Sequence, residues 1–160
     1  MRRFLRLTMT FGAALTLVLT GCSGGNGGSD EDADASGMDF SDYAKSRQTM
    51  TENGAYFVTY APDPDPIPVS ELFKVKVDVY KSQDMKEMVS DADLQIEARM
   101  PTHGHGMNTD PTVEKKDGGY MIDGMKFHMP SDPDNPWVME IEVDKGGAAD
   151  MAKFQVITKK

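Results

Sequence analysis

All three histidines of this chain lie in a methionine-rich stretch of its second half. Two of them, His103 and His105, belong to the run Met-Pro-Thr-His-Gly-His-Gly-Met that ends at Met107. His128 follows further along the chain, beside another methionine. Imidazole and thioether groups are neutral, soft-to-borderline ligands that suit copper in either oxidation state, whereas carboxylates favour harder ions. This stretch therefore predicts a copper site.

The spacing of the first run suggests which side chains would act as ligands. If the segment is extended, His103, His105 and Met107 project from the same side of the chain, because alternate residues of an extended chain share a face. We expect the two histidines to be imidazole ligands and Met107, His128 or Met121 to supply the third donor. The alternative is that the histidines hold a strand-end loop through hydrogen bonds and that the methionines fill irregular core space.

The strand that leads to His128 separates candidate ligands from core residues. Its apolar residues have opposite parity on the two sides of Gly124, so a single register cannot bury them all. A bulge at this glycine would shift the phase and turn both sets inward. Met125 and Met129 are then expected in the core, while Met121 and His128 point outward.

The first residues are typical of a bacterial lipoprotein signal peptide. Three arginines precede a short apolar run, and Leu-Thr-Gly-Cys at residues 19–22 resembles a lipobox. The run is too short for a comfortable transmembrane helix. We expect cleavage after residue 21 and lipidation of Cys22, with an uncleaved anchor or a plain secretory signal as the alternative. Cys22 is the only cysteine, so the mature chain would have no disulfide and no thiolate metal site.

The charge excludes one class of partner. The formal net charge is −9, and removal of the three leader arginines would make it −12. Such a surface repels phosphate backbones, so nucleic acid is not an expected partner. It also offers no basic patch for anionic lipid, which leaves the acyl anchor as the attachment. We expect a protein outside the cytoplasm, on the outer membrane facing the periplasm or on the cell membrane.

Composition divides the remaining chain into a tether and one domain. Residues 22–53 start with a glycine-rich and acidic stretch that has almost nothing apolar to bury, which predicts a flexible tether. Residues 38–53 are ambiguous, because Phe40 and Tyr43 could form one face of a short helix that begins at Ser41. Residues 54–160 are enough for a two-layer core.

Alternation with a period of two predicts strands throughout this domain. Three strands are clear: Phe73–Tyr80, Leu94–Met100 and Trp137–Asp144. Four are weaker: Ala55–Ala61, Thr112–Lys116, Tyr120–Met129 and Lys153–Thr158. Seven short strands, each with one apolar face, indicate an all-β, immunoglobulin-like antiparallel β-sandwich. Its expected core contains Val75, Val77, Ile96, Phe127, Trp137, Ile141 and Phe154.

Several landmarks together resemble a known family. They are residues 89–94, which lead into a strand that ends at Met100-Pro101, then the Gly-His-Gly-Met run, Gly119-Tyr120, Phe127-His128-Met129-Pro130 and Trp137. This order resembles the YtkA-like domain, which is similar to the FixH group of membrane-associated proteins. The resemblance covers about residues 72–158. It implies an immunoglobulin-like sandwich on the outer side of a membrane, and copper supply or assembly for haem-copper oxidases and cation pumps.

This chain departs from the FixH pattern in two ways. It has a lipid anchor where FixH has a transmembrane helix, and it inserts residues 131–136 before Trp137.

Two hypotheses follow for its function. The first is a lipid-anchored copper-binding protein, a copper chaperone or an oxidase-assembly factor. The alternative is a metal-free interaction module of a membrane oxidase or cation-transport complex. An enzyme is not expected, because the only cysteine lies at the lipidation position and no phosphate-binding glycine loop is present.

Overall fold

Nine strands form two antiparallel sheets in the computed structural model, which describes residues 39–158. One sheet contains β1 (Gln48–Met50), β2 (Phe57–Asp63), β3 (Phe73–Tyr80), β6 (Thr112–Lys116) and β7 (Gly119–Met125), in the order β1-β2-β3-β7-β6. The other contains β4 (Asp93–Met100), β5 (His105–Gly106), β8 (Trp137–Lys145) and β9 (Ala148–Val156), in the order β5-β4-β8-β9.

The two sheets bury a single core between them, so the predicted all-β sandwich is confirmed. Side chains of β3 and β4 alternate between buried and more exposed positions, as the period of two in their sequences requires. Contacts between rings join the sheets, for example Tyr60 of β2 against Phe154 of β9 at 5.0 Å between centroids. All seven residues of the predicted core are buried: Val75, Val77, Ile96, Phe127, Trp137, Ile141 and Phe154.

The predicted bulge in β7 is also confirmed. Val75 of β3 lies opposite Ile122, but Phe73 lies opposite Met125, so β7 has one residue more than β3 across this interval. Gly124 occupies it with a φ of 91°, which a residue with a Cβ rarely adopts. The shift in phase buries the side chains on both sides of the bulge, as expected. The strand itself, however, ends at Met125 and not at residue 129.

The folded domain begins earlier than the expected boundary at residue 54. β1 lies within the ambiguous segment and pairs with β2 from Gln48 to Met50. Before it, Ala44 bridges Phe154 in parallel, and its N–H and C=O bond to the backbone of β9 at 2.8 Å each. The short helix considered from Ser41 is absent, because this segment satisfies its backbone groups on the outer edge of β9 instead.

The expected leader, the lipidation at Cys22 and the tether up to residue 38 lie outside the described residues. Between residues 39 and 158 there is no helix long and apolar enough to cross a membrane.

Asp150 connects the start of β9 to the turn between β1 and β2. Its carboxylate accepts hydrogen bonds from the backbone N–H groups of Asn53, Ala55 and Met151 and from the Asn53 side chain, at 2.9–3.2 Å. Burial alone would raise the pKa of Asp150, but these bonds, together with one from the Thr51 hydroxyl, outweigh it and lower the pKa to about 2.

We expect Asp150→Asn to reduce the free energy of unfolding by about 1–3 kcal/mol at pH 7, because buried N–H groups lose a charged acceptor. A depressed carboxyl pKa stabilises the fold above the unfolded value near 3.8, and this contribution disappears as the pH falls toward 2. Urea unfolding of parent and variant should therefore differ at pH 7 and converge near pH 2. The exposed Asp93→Asn is the control, and an equal effect from it would contradict this role.

Candidate metal centre

The run that contains His103 and His105 folds back on itself and is not extended. Residues Pro101–His103 form one turn of 3-10 helix directly after β4, with the proline at its start. Gly104 closes the turn in the left-handed region, at φ 66°, and donates its N–H to the carbonyl of Pro101 at 3.1 Å. The condition under which residues 103, 105 and 107 would share one face is therefore not met, because alternation holds only in an extended chain.

β5 fixes the position of His105 against the edge of β4. His105 pairs with Met100, and Gly106 pairs with Arg99. A Cβ at Gly106 would lie 3.3 Å from the carbonyl oxygen of Ala98, so this approach is close. Met107 continues the contact by donating its N–H to the same carbonyl oxygen at 3.0 Å. Backbone hydrogen bonds to β4, a core strand, consequently hold His105 in place.

The second part of the site is the segment that follows β7. The carbonyl oxygen of Phe127 accepts the N–H of Ser70 at 2.7 Å, and that of His128 accepts the Ser70 hydroxyl at 3.1 Å. The carbonyl oxygen of Met129 accepts Nε1–H of Trp137 at 3.0 Å. Three consecutive carbonyl groups thus have partners from other parts of the chain, and this segment is fixed although it is not a strand.

These two parts bring two imidazoles and a thioether together. Nε2 of His105 lies 3.2 Å from Sδ of Met129, and the ring centroids of His105 and His128 are 4.6 Å apart. If metal–nitrogen and metal–sulfur bonds are about 2.0 and 2.3 Å, a 3.2 Å separation of the two donors corresponds to an angle of about 95° at the metal. The pair is therefore spaced as two ligands of one ion would be.

Trp137 forms the inner wall of this cluster. Its ring lies 5.8 Å from that of His105 and 5.4 Å from that of His128, and the indole is completely buried. In the core, the indole stacks on the ring of Phe127, with ring centroids 4.7 Å apart and ring planes 10° from parallel. The histidines thus contact an aromatic surface that cannot move without opening the core.

The electrostatic environment keeps His128 in the form that can bind a metal. Burial, followed by the fields of His105 and Lys126, lowers the pKa of His128 below its ordinary value. A lower pKa favours the neutral ring, which is the form that coordination requires. Nδ1 of both His105 and His128 is buried without a hydrogen-bond partner among the described residues. Such atoms are rare in folded proteins. In His105 this nitrogen is not Nε2, the atom that faces Sδ of Met129.

The predicted site residues are distributed differently from the expectation. His103 is exposed and stacks on His105 with ring centroids 5.8 Å apart, at the outside of the cluster. Met107 is half-buried against the core. Met121 lies in the middle of β7, opposite Lys76 and Glu114, which are exposed. The contacts of residues 39–158 therefore bring Met129, and not Met121, to the histidines.

Met129 packs partly against the core, as expected from the sequence, but its contact with His105 was not expected. Counting alternate residues along an uninterrupted strand puts Met129 in the core with Met125, but the chain leaves β7 at Met125 and parity no longer applies. Met129 is half-buried, and one part of its side chain faces His105. The available signal was the pair His128-Met129 itself, two adjacent residues of the donor types already singled out.

The site contains no cluster of the ligands that bind harder metals. Within residues 39–158, no group of three or more His, Cys, Asp or Glu side chains lies close enough together to hold an ion. A site with three protein ligands from this part of the chain therefore includes at least one donor of another type, such as the thioether of Met129.

Comparison of the chain with protein-family models, with curated proteins and with solved structures gives no significant match.

We expect Gly104→Ala to lower the free energy of unfolding by about 1 kcal/mol, because its φ of 66° is unfavourable for a residue with a Cβ. No atom lies within 4 Å of the added methyl group, so the effect would come from the backbone alone. Gly104→Asn should cost less, since asparagine tolerates this conformation better. Chemical denaturation measures both, and equal costs would contradict the left-handed turn.

Proposed function

We propose that this protein is a lipid-anchored, extracytoplasmic copper-binding protein with His105, His128 and Met129 as its ligands. The observation that carries this proposal is the 3.2 Å approach of Nε2 of His105 to Sδ of Met129, with the ring of His128 against that of His105. Two imidazoles and a thioether are a donor set suited to copper. His103, exposed beside His105, is placed to receive an ion first and pass it inward.

The role we propose is binding and transfer of copper, as a copper chaperone or an oxidase-assembly factor, and not catalysis. The resemblance to the YtkA-like domain and the FixH group supports this role and a membrane oxidase or cation-transport complex as partner. The strand order supports an immunoglobulin-like sandwich. If the short strands β1 and β5 are set aside, the remaining sheets are β2-β3-β7-β6 and β4-β8-β9. This is the order of the seven strands in immunoglobulin constant domains.

We expect the purified full-length protein to bind one copper ion and Met129→Leu to weaken binding at least about tenfold, or ~1.4 kcal/mol. Leucine keeps the approximate volume but removes the sulfur donor. The matched control is Met121→Leu, which should bind copper as the parent does. His105→Gln and His128→Gln should each weaken binding further than His103→Gln. Metal analysis after gel filtration and competition with a chromogenic chelator measure these effects.

Two results would contradict the proposed ligand set. One is copper binding by the parent that does not exceed that of the double variant His105→Gln and His128→Gln. The other is an effect of Met121→Leu with none of Met129→Leu, which would restore the ligands expected from the sequence. Met125→Leu, a change in a fully buried methionine of the same region, separates loss of stability from loss of a ligand.

A metal-free interaction module is the second candidate, and the edge of β4 favours it. β5 and Met107 cover the outer edge of β4 only from Ala98 to Met100, and within residues 39–158 no strand pairs with this edge before Ala98. An open groove lies along this edge and is lined by Ile96–Pro101 and Gly104–Met107. Such an edge can accept a strand from another protein. This candidate requires that copper leaves the unfolding temperature unchanged, whereas a copper site requires that it rises.

The anchor is tested separately from the metal site. We expect Cys22→Ala to release the protein from membranes or to leave it unprocessed, because the lipid would be attached to that thiol. Fractionation of cells and the apparent size of the chain on a gel measure this effect. The same size and the same membrane fraction in the variant as in the parent would contradict lipidation at Cys22.

A further inference from the structure

We infer that this site selects Cu(I), a soft monovalent ion, over Cu(II) and Zn(II), because His105, His128 and Met129 converge without a carboxylate against the buried indole of Trp137. The inference rests on the proposed copper site and specifies the oxidation state that it accepts. Four properties of the site support it: the charge of the ligands, the burial of their surroundings, the number of donors and the aromatic wall.

The ligands do not neutralise any of the charge of the ion. Two imidazoles and a thioether are neutral, and the chain has no cysteine other than Cys22. Between residues 39 and 158, no three acidic, histidine or cysteine side chains form a metal-binding group. A divalent ion would therefore keep both of its charges in the site, whereas a monovalent ion would keep one.

Burial penalises the divalent ion most. Trp137 is completely buried, and Nδ1 of both His105 and His128 is shielded from water, while the side chains of His105, His128 and Met129 are half-buried. The cost of moving an ion from water into a medium of low dielectric constant increases with the square of its charge, so a divalent ion pays roughly four times as much as a monovalent ion of the same size. Neutral ligands offset little of this desolvation free energy, whereas carboxylates would offset much more.

The number and type of donors agree with this preference. Cu(II) favours tetragonal sites rich in nitrogen and oxygen, and Zn(II) favours four ligands in a tetrahedron. The cluster provides three donors, one of which is the soft sulfur of Met129, 3.2 Å from Nε2 of His105. Soft thioether ligands are typical of Cu(I) sites. His103 is exposed at the outside of the cluster and does not complete a tetrahedron with them in this structure.

The aromatic wall adds an attraction that does not require a fourth ligand. The indole of Trp137 contacts the rings of both histidines, at 5.8 and 5.4 Å between centroids. The face of an indole attracts cations through its quadrupole, and this attraction is largest where water is excluded. An ion held by His105 and His128 is therefore close to the only tryptophan of the chain. Its fluorescence should report binding directly.

The test compares ions on the full-length protein under anaerobic conditions. Cu(I) kept reduced by ascorbate, Ag(I), Cu(II) and Zn(II) are each titrated, and affinities are obtained by competition with chelators of known strength. We expect Cu(I) to bind at least about a hundredfold more tightly than Cu(II). Ag(I), which is soft and monovalent but does not change oxidation state here, should quench the fluorescence of Trp137 at a ratio of one ion per chain.

Variants identify the cause of the preference. Met129→Leu should reduce the affinity for Cu(I) at least about tenfold and change that for Cu(II) much less, which removes part of the selectivity. Met129→Glu introduces a carboxylate and should shift the preference toward Cu(II) and Zn(II). Met121→Leu is the matched control and should keep the selectivity of the parent.

The outcomes separate this inference from the proposed function. Binding of Cu(II) by the parent as tightly as Cu(I) would overturn the inference and leave a copper site in place. Binding of Zn(II) with similar affinity, or no quenching by Ag(I), would overturn it as well. Failure of both copper ions to bind would overturn the proposed function too. The comparison of ions on the parent requires no variant, so it stands even if a variant fails to fold.

Discussion

The burial of Trp137 is the constraint on which this end of the molecule depends. Its indole stacks on Phe127 in the core, and its one polar atom needs a hydrogen-bond partner there, which is the carbonyl oxygen of Met129. This bond fixes the segment after β7, although no strand partner holds it. The other neighbours of the indole are the rings of His105 and His128. A core residue thus holds the backbone of Met129 and forms the wall against which the rings of His105 and His128 lie.

The candidate site is assembled from both sheets of the sandwich. His105 belongs to β5, which pairs with the end of β4 in one sheet, while His128 and Met129 follow β7 of the other. Trp137 begins β8, next to β4. Donors that are mounted on separate packed elements keep their spacing without a bound ion, because a change in the spacing would require the sheets to move. Such a preformed arrangement of donors favours high affinity, since few side chains have to become ordered when the ion binds.

Charge is distributed differently over the whole chain and at the site. The chain carries 26 acidic and 17 basic residues, so its surface raises the local concentration of any cation. At the cluster of His105, His128 and Met129 the donors are neutral. General attraction and selection of an ion are therefore separate properties. The acidic surface does not discriminate between cations, whereas soft, half-buried donors discriminate by charge and polarisability.

The amino-acid sequence by itself determined the strands, the core and the bulge. Alternating apolar residues define β3, β4 and β8, and Gly124 marks the shift in phase, because side chains of a strand repeat every two residues whatever the fold. It also identified His105 and His128 by residue type. Only the tertiary structure decided that Met129 accompanies them, and that residues 48–50 belong to the sheet. The first depends on where the chain leaves regular structure, after β4 and β7, and the second depends on the pairing of β1 with β2. Beyond such points local periodicity no longer predicts direction, and contacts between distant segments decide it.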